Sequence, residues 1–503
     1  MGGALSVLGA GAPLALQLAV SGAASAADAA DYKALVCVFL VGGNDGHNTV
    51  LATDADSWRR YFSARSGGTD SLALMPVGTP ILPKGATSTI TGRKATATNP
   101  EGWGGVLEIV PRVDQPIPDG TDATNRTFAL HPFLGPLKTL FDSGRLAVVA
   151  NIGPLVQPIT KVQYLTRAVP VPLGLTSHND QQSTWQSGGP EGTRIGWGGA
   201  MADRLYGSNG ANTVFTAISP TGTALFLAGR DVGQYVVKTG ALPANVVVAT
   251  QQGTLFGSKV GSAGLTDIIQ GTTSTSSFSD DYAAVVARSM QAAGAVNGAI
   301  SQGAATLIPA PGNYVNPITG AQQINPLAVQ LQTVARLVAS APQMGLRRQV
   351  FFVSLPGFDT HSTQNAAHAD LMGQLAQALA YFDTALSNVG GSDLRGSVTT
   401  FTASDFGRSF TTNGDGTDHG WGSHHFVMGG AVRGGNIYGQ YPTLGIDDTG
   451  FSNPDMVGTA LIPTTSVDQY GATLGAWFGV SSTDLASIFP NLGNFNSANL
   501  GFV

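Results

Sequence analysis

The stretch GTDHGWGSHHFV, residues 416–427, holds three of the chain's eight histidines beside one aspartate. Imidazole and carboxylate together form the donor set that zinc and similar divalent ions take. The stretch therefore reads either as part of a metal site or as a polar turn entering a strand. Asp418-His419-Gly420 reads as loop, with His419 the candidate imidazole ligand and Asp418 placed to orient it. His424 and His425 lead into HFVMGG, a strand entry in which neighbouring residues point to opposite faces. Only one of that pair readily faces the same site: His424 is the weaker candidate, and His425 is structural.

Three further polar clusters contain an aspartate: Asn44-Asp45-Gly46-His47, Asp359-Thr360-His361 and Ser404-Asp405-Phe406-Gly407-Arg408. For any one of them the plain alternative is a turn, where Asp and Asn are favoured for their local hydrogen bonds. Arg408 offers a planar fork to phosphate or sulfate oxygens, or a partner to a structural carboxylate. In LTSHNDQQSTWQSG (175–188), Ser177 precedes a polar segment of helical length. A serine there receives the positive end of the helix dipole, which suits a nucleophile attacking an anionic ester. It is equally well read as an N-cap. His178, next in sequence, is a weaker site candidate. His131, in LHPFLGPLKTLF, precedes a helix without an acidic neighbour and reads as structural.

These clusters matter most if they follow strands, because ligands of an open parallel sheet bind beyond the strands' carboxyl ends. KALVCVFLVGGNDGHNT (33–49) begins with a continuous apolar run, the pattern of a strand buried on both faces. RLAVVANIG (145–153) and QVFFVSLPG (349–357) fit the same template, and GSVTTFTASDFG (396–407) is a fourth, β-branched up to Ala403. Between them lie helical patterns: one at 279–301 with Ser279 as N-cap, one at 325–342 with proline in its first turn, and one at 366–391 ending on glycines. Strands alternating with helices imply a parallel sheet covered on both sides. Residues 52–127 read as long loops with short strands, and 205–275 as an insertion carrying extra strands in an otherwise single domain, 27–503.

Charged residues make up 11% of the chain, against about 25% in an average soluble protein. A net charge of −6 without a Lys/Arg stripe excludes a nucleic-acid footprint. The single cysteine, Cys37, excludes an internal disulfide and reads as a buried core thiol. Residues 1–26 read as an export signal: an apolar region ends at Ala24-Ser25-Ala26, and Gly, Pro and Gln interrupt it too often for a membrane span. No Lys or Arg precedes Lys33, so the positive region of such a signal is missing. No G-x-G-x-x-G turn follows the first strand and no G-x-S-x-G elbow surrounds Ser177, which disfavours a dinucleotide enzyme or a Ser-His-Asp esterase.

FLVGGNDGHNT, LHPFLGPLKTLFDSGRLAVVANIG, SHNDQQSTWQ, GFDTH, SDFGRS, DHGWGSHHFVMGGAVRGGNIYG and TSVDQYGATLGAWFGV, in this order, resemble the bacterial domain-of-unknown-function family 1501 over nearly all of residues 33–490. That family is similar to the alkaline phosphatase/sulfatase superfamily. The resemblance implies a three-layer α/β/α sandwich with a mostly parallel central sheet, alkaline-phosphatase-like, with loop and strand insertions. It also implies twin-arginine export, with the arginine pair just upstream of Met1. Carried over, it makes Asp45, Asp359, His361, Asp405 and His419 the metal ligands, Ser177 the nucleophile and Arg408 an anion-binding residue. His361 follows Asp359 at a tighter spacing than the superfamily's, and Phe406 stands where a metal-binding histidine is expected. A formylglycine sulfatase is excluded, since no Cys-x-Pro-x-Arg sequence exists.

The expectation is an exported hydrolase, periplasmic, cell-surface or extracellular, acting on small-molecule or glycan-borne phosphate or sulfate esters. It would use one or two divalent ions (Zn, Ca, Mg or Mn) with Ser177 or an activated water, and it would have neither a nucleic-acid partner nor a permanent membrane span. The alternative, favoured by Phe406 and the low charge, is a non-catalytic secreted binding or assembly protein on a degenerate hydrolase scaffold.

Overall fold

From Ala34 to Leu40 every residue is apolar, and an extended chain sends such residues alternately to two sides, so both sides need cover. The computed structural model, which describes residues 31–68, 70–116, 126–239, 257–270, 277–446 and 453–503, supplies it. Among the described residues nine strands form one sheet: β1 (Lys33–Val41), β2 (Leu146–Gly153), β3 (Ala217–Ser219), β4 (Tyr235–Val236), β5 (Arg348–Pro356), β6 (Val398–Ser404), β7 (Ser423–Gly429), β8 (Ile437–Tyr438) and β9 (Thr465–Ser466). Their order is β8-β2-β7-β6-β1-β5-β3-β4, with β9 also on β2. Only β7 runs antiparallel to its neighbours. The fold is mixed α/β with a large, mostly parallel sheet.

Val36, Val38 and Leu40 of β1 enter one core cluster with α2 (Gly135–Asp142), α6 (Pro326–Ser340) and α7 (Gln364–Ser387). Leu35, Cys37 and Phe39 enter the other, with α4 (Trp197–Leu205) and α8 (Val467–Phe478). Helices thus cover both faces, and Cys37 is a core thiol, 1% exposed. The remaining helices needed below are α1 (Ala55–Arg65), α3 (His178–Ser187) and α5 (Ser277–Ile300).

The four apolar runs are β1, β2, β5 and β6. Asn325 caps α6, its side chain accepting the Leu327 N–H at 3.1 Å, with Pro326 in the first turn. The 279–301 helix starts two residues earlier than Ser279, at Ser277. Within 205–275, β3 and β4 extend the main sheet by pairing parallel on β5 and on each other. The small strands around 52–127 form a separate three-stranded antiparallel sheet. The export segment expected at 1–26 lies outside the described residues. Among the described residues no helix is long and apolar enough to cross a membrane.

β5 and β6 flank β1 in parallel, with Val41 opposite Pro356 and Leu40 opposite Ser404. Their carboxyl ends therefore deliver residues 42–45, 357–361 and 405–408 to one edge. Contact there is close enough to require glycine. A Cβ on Gly42 (φ +117°) would sit 2.4 Å from the Asp359 backbone nitrogen, and one on Gly43 (φ +88°) 2.4 Å from the Phe406 ring.

Five histidines are core residues: His47, His131, His368, His424 and His425, none more than 2% exposed. Burial pushes all five below the usual imidazole range, His368 to about 4 and His424 and His425 to about 3. They are neutral when folded and take up protons near pH 6.5 when unfolded. Their stabilising contribution is therefore complete above pH 6.5 and falls as pH drops towards the folded values. Denaturant unfolding at pH 7 and pH 5 is expected to show a loss of about 2 kcal/mol for each of these histidines. An equal midpoint at both pH values would contradict their neutral burial.

Candidate metal centre

β5 ends at Pro356, and the turn that follows carries Asp359 and His361 before α7 begins at Gln364. After β6, Asp405 begins a loop that folds back on itself, pairing Arg408 with His419 in an antiparallel bridge. Gly420 donates its N–H to the Gly407 carbonyl at 2.7 Å, which holds the bridge closed. The third contributor is α3. Ser177 caps it, the Ser177 hydroxyl accepting the Asp180 N–H at 3.4 Å, and His178 is its first residue. Asp405, fully buried, docks this helix: its Oδ2 accepts from His178 Nδ1 at 2.7 Å and from Gln182 Nε2 at 2.8 Å, and its Oδ1 accepts the Gly42 N–H at 3.1 Å.

Three imidazoles and one carboxylate meet in front of this scaffold. His178, Asp359 and His419 offer ligand atoms all within 4.8 Å of one another. His361 Nε2 joins them, 2.9 Å from His419 Nε2 and 3.0 Å from Asp359 Oδ1. His419 Nε2 stands 3.4 Å from Asp359 Oδ1, and His178 Nε2 3.5 Å from Asp359 Oδ2. A tetrahedral ion with arms of 2.0–2.1 Å separates its donors by about 3.3 Å. Four of the spans, 2.9 to 3.5 Å, lie near that edge, two of them to Oδ1 of Asp359 and one to its Oδ2, and the compact group of three is His178, Asp359 and His419.

The far nitrogens fix the tautomers. His178 Nδ1 faces the Asp405 carboxylate, His419 Nδ1 the Thr176 carbonyl at 2.7 Å, and His361 Nδ1 the Asp418 carboxylate at 3.3 Å. Each partner can only accept, so each Nδ1 donates, and Nε2 is the atom that can serve as a ligand when the ring carries one proton. Asp418 is itself steadied by Asn413 Nδ2 at 3.0 Å. Carboxylate or carbonyl on one nitrogen and an open lone pair on the other is how metal-binding histidines are held.

Burial pushes His419 below the usual imidazole range, aided by the Arg408 charge and the other two histidines and opposed by the Thr176 carbonyl. For Asp359, burial alone would raise the carboxyl, but the hydrogen bond and charge of Arg408 hold it below the usual carboxylate range. Phe406 is fully buried, its ring 4.5 Å from that of His419 and 4.8 Å from that of His178. It forms an apolar wall behind two of the imidazoles.

Of the residues singled out from sequence, Asp359, His361 and His419 come together, joined by His178. Asp405 stands one bond behind, orienting His178, and Asp418 orients His361 rather than His419. Arg408 is 1% exposed and its guanidinium is spent inside the protein: Nη1 donates to Asp359 Oδ1 at 2.7 Å and to the Gly42 carbonyl at 3.3 Å, Nε to the Thr417 hydroxyl at 3.2 Å, and Nη2 to the Thr417 carbonyl. It positions Asp359 and presents no fork to a ligand. His424 stacks on Tyr441 with its Nδ1 accepting the Asn151 N–H, while His425 packs edge-on to Trp185 from the opposite face of β7.

Asp45 is placed differently. It is fully buried and forked by Arg65 at 2.5 and 3.0 Å, and it also accepts from Gln364 Nε2 at 2.5 Å and the His47 N–H at 3.1 Å. Burial would raise this carboxyl, but Arg65, by charge and hydrogen bond, holds it well below the usual range. Arg65 also donates to the Phe410 and Ser409 carbonyls, so it clamps the 405–422 loop from behind. Arg65, Gln364 and the Thr176 carbonyl give no sequence signal of their own. His178 does give one, as an imidazole at a helix start.

Strand-end loops of a parallel sheet, converging on an imidazole–carboxylate cluster, define the protein as an α/β protein with a candidate metal centre. The chain matches, over residues 32–489, the family described as "Protein of unknown function (DUF1501)", and it belongs to that family. No curated protein matches it.

Arg65→Ala would leave the Asp45 charge buried and unpaired, and about 3–5 kcal/mol of stability is expected to be lost in denaturant unfolding. Asp45→Asn in the same chain should restore part of it. A loss below about 1 kcal/mol would place the Arg65–Asp45 pair outside the structural framework.

Proposed function

We propose that the protein is a metal-dependent hydrolase of phosphate or sulfate esters, with one divalent ion held by His178, His361, His419 and Asp359. The observation that carries this is the 2.9 Å approach of two Nε2 atoms, His361 and His419, whose protons are both drawn to the far side of the rings. Two lone pairs so close repel unless a proton or a metal ion sits between them. Burial and Arg408 work against that cation being a proton on His419. Three imidazoles and a carboxylate favour zinc or a similar transition ion over calcium or magnesium, which prefer oxygen.

Bound there, such an ion supplies a Lewis acid to an ester oxygen and an ionised nucleophile at neutral pH. The chain's own residues do the rest. Asp405, Asp418 and the Thr176 carbonyl hold the rings, and Arg408 holds Asp359. The first N–H groups of α3 lie at the His178 end and favour the negative charge of a phosphate or sulfate. Ser177 serves as the helix cap in this mechanism, not as nucleophile. An alkaline-phosphatase-like fold is supported by the strand-end arrangement. Asp45 held by Arg65, and Phe406 in place of a histidine, favour one ion over two. Export is supported by the apolar segment ending at Ala24-Ser25-Ala26.

Elemental analysis after dialysis into zinc should find one ion per chain, lost in His361→Ala and His419→Ala and bound about 10–100-fold more weakly in Asp405→Asn. Metal content unchanged in both histidine variants would overturn the centre. Hydrolysis of p-nitrophenyl phosphate and p-nitrophenyl sulfate should stop on chelation and survive Ser177→Ala, whose cost is about 1 kcal/mol of stability. Metal binding without turnover on any phosphate or sulfate ester would favour the non-catalytic scaffold.

A further inference from the structure

A cleft of about 420 Å³ opens beside the centre, between α3 and the ends of β1 and β5. Two residues connect them. Asn179, which lines the cleft, follows His178, and Gln182 lies one turn beyond His178 on the same helix face. Gln182 also bonds the Asp405 oxygen that holds His178. The cleft and the centre therefore share α3, one turn apart along the helix.

The lining has a definite chemistry. Among the described residues no lysine, arginine or histidine lines it, and Glu191, exposed at the rim, is the one charged residue of the lining. An anionic group finds no counter-charge there. Two amides are oriented by their inner bonds. Gln186, 8% exposed, uses its Oε1 to accept the Phe226 N–H at 2.9 Å, which turns its NH₂ towards the cleft as donor. Gln182 uses its Nε2 on Asp405, which leaves its carbonyl oxygen as acceptor. Thr221 and Thr223 add hydroxyls, and Phe39 and Phe352, stacked at 5.8 Å, form the floor.

Donors, acceptors and hydroxyls over an aromatic floor suit a ligand with C–H faces and many hydroxyl groups. A purely apolar ligand would leave the amides unpaired, which is costly. We propose that the cleft holds a neutral sugar ring of the substrate, while the ester it carries is presented to the metal centre. The proposal rests on the hydrolase reading for the position of the ester, but binding of the ring itself needs no metal.

The test is saturation-transfer NMR on the full chain, with and without zinc, using D-glucose, D-galactose, D-mannose and N-acetyl-D-glucosamine, and D-glucuronate as the charged control. At least one neutral sugar should bind the chelated protein, and more tightly than glucuronate. Its affinity should fall about tenfold or more in Thr223→Trp, an exposed position at which indole fills the cleft, and in Gln186→Leu. Gln186→Leu also removes the Phe226 partner, so Thr223→Trp is the variant that decides. Binding of no neutral sugar, binding unchanged in Thr223→Trp, or glucuronate binding as tightly as the neutral sugars would each overturn the proposal. Sugar binding without zinc retention would overturn the metal centre and leave the cleft standing; zinc retention without sugar binding would do the reverse.

Discussion

A fully buried carboxylate must be paired, and the pairing of Asp405 decides where everything else at the sheet edge can sit. Its two oxygens take a backbone N–H from the end of β1, an imidazole and an amide. Those three bonds fasten β6 to β1 and fasten α3 to both. Beyond them the polar helix, whose first residue is His178, is held to the core by Trp185, whose carbonyl accepts from Trp197 Nε1, and by Gln186, which accepts the Phe226 N–H. The same three bonds fix the tautomer of His178 and the exposed end of Gln182. One buried carboxyl group thus sets the fold of the edge, the orientation of His178 and the polarity of the cleft.

Two buried arginines divide the remaining carboxylates. Arg65 closes Asp45 off completely, and the pair is a clamp under the 405–422 loop. Arg408 holds Asp359 by Oδ1 from below, yet the Asp359 side chain remains 46% exposed, facing three imidazoles. Both aspartates follow strands, and both belong to polar clusters of similar composition. What separates them is the partner: the first is satisfied on every side, the second only from behind.

The same distinction explains what can be read from sequence. The four buried strands are legible because their apolar runs are unbroken, and the parallel arrangement follows from the helices between them. The strand-end rule then brings Asp359, Asp405 and the 405–422 loop to one edge without any knowledge of side-chain partners. It cannot tell Asp45 from Asp359, because Arg65 ends a helix twenty residues from Asp45 and carries no mark of its target. Asp418 is likewise assigned to its neighbour His419 by proximity in sequence, whereas the loop's return brings it to His361. Resemblance to a superfamily pattern favours Ser177 over His178, yet the cap geometry turns the serine hydroxyl to its own helix and the imidazole to the edge.

Phe406 looks at first like the loss of a ligand, and its packing gives it another role. Its ring lies against both His178 and His419. A hydrocarbon wall there dries one side of both imidazoles, and burial holds His419 below the usual imidazole range. It also fills the space that Gly43 leaves open, since any side chain on Gly43 would meet the ring. The glycine, the phenylalanine and the two histidines are therefore one packed unit. The edge leans on this packing, and a histidine at 406 would put a polar ring where the wall now stands.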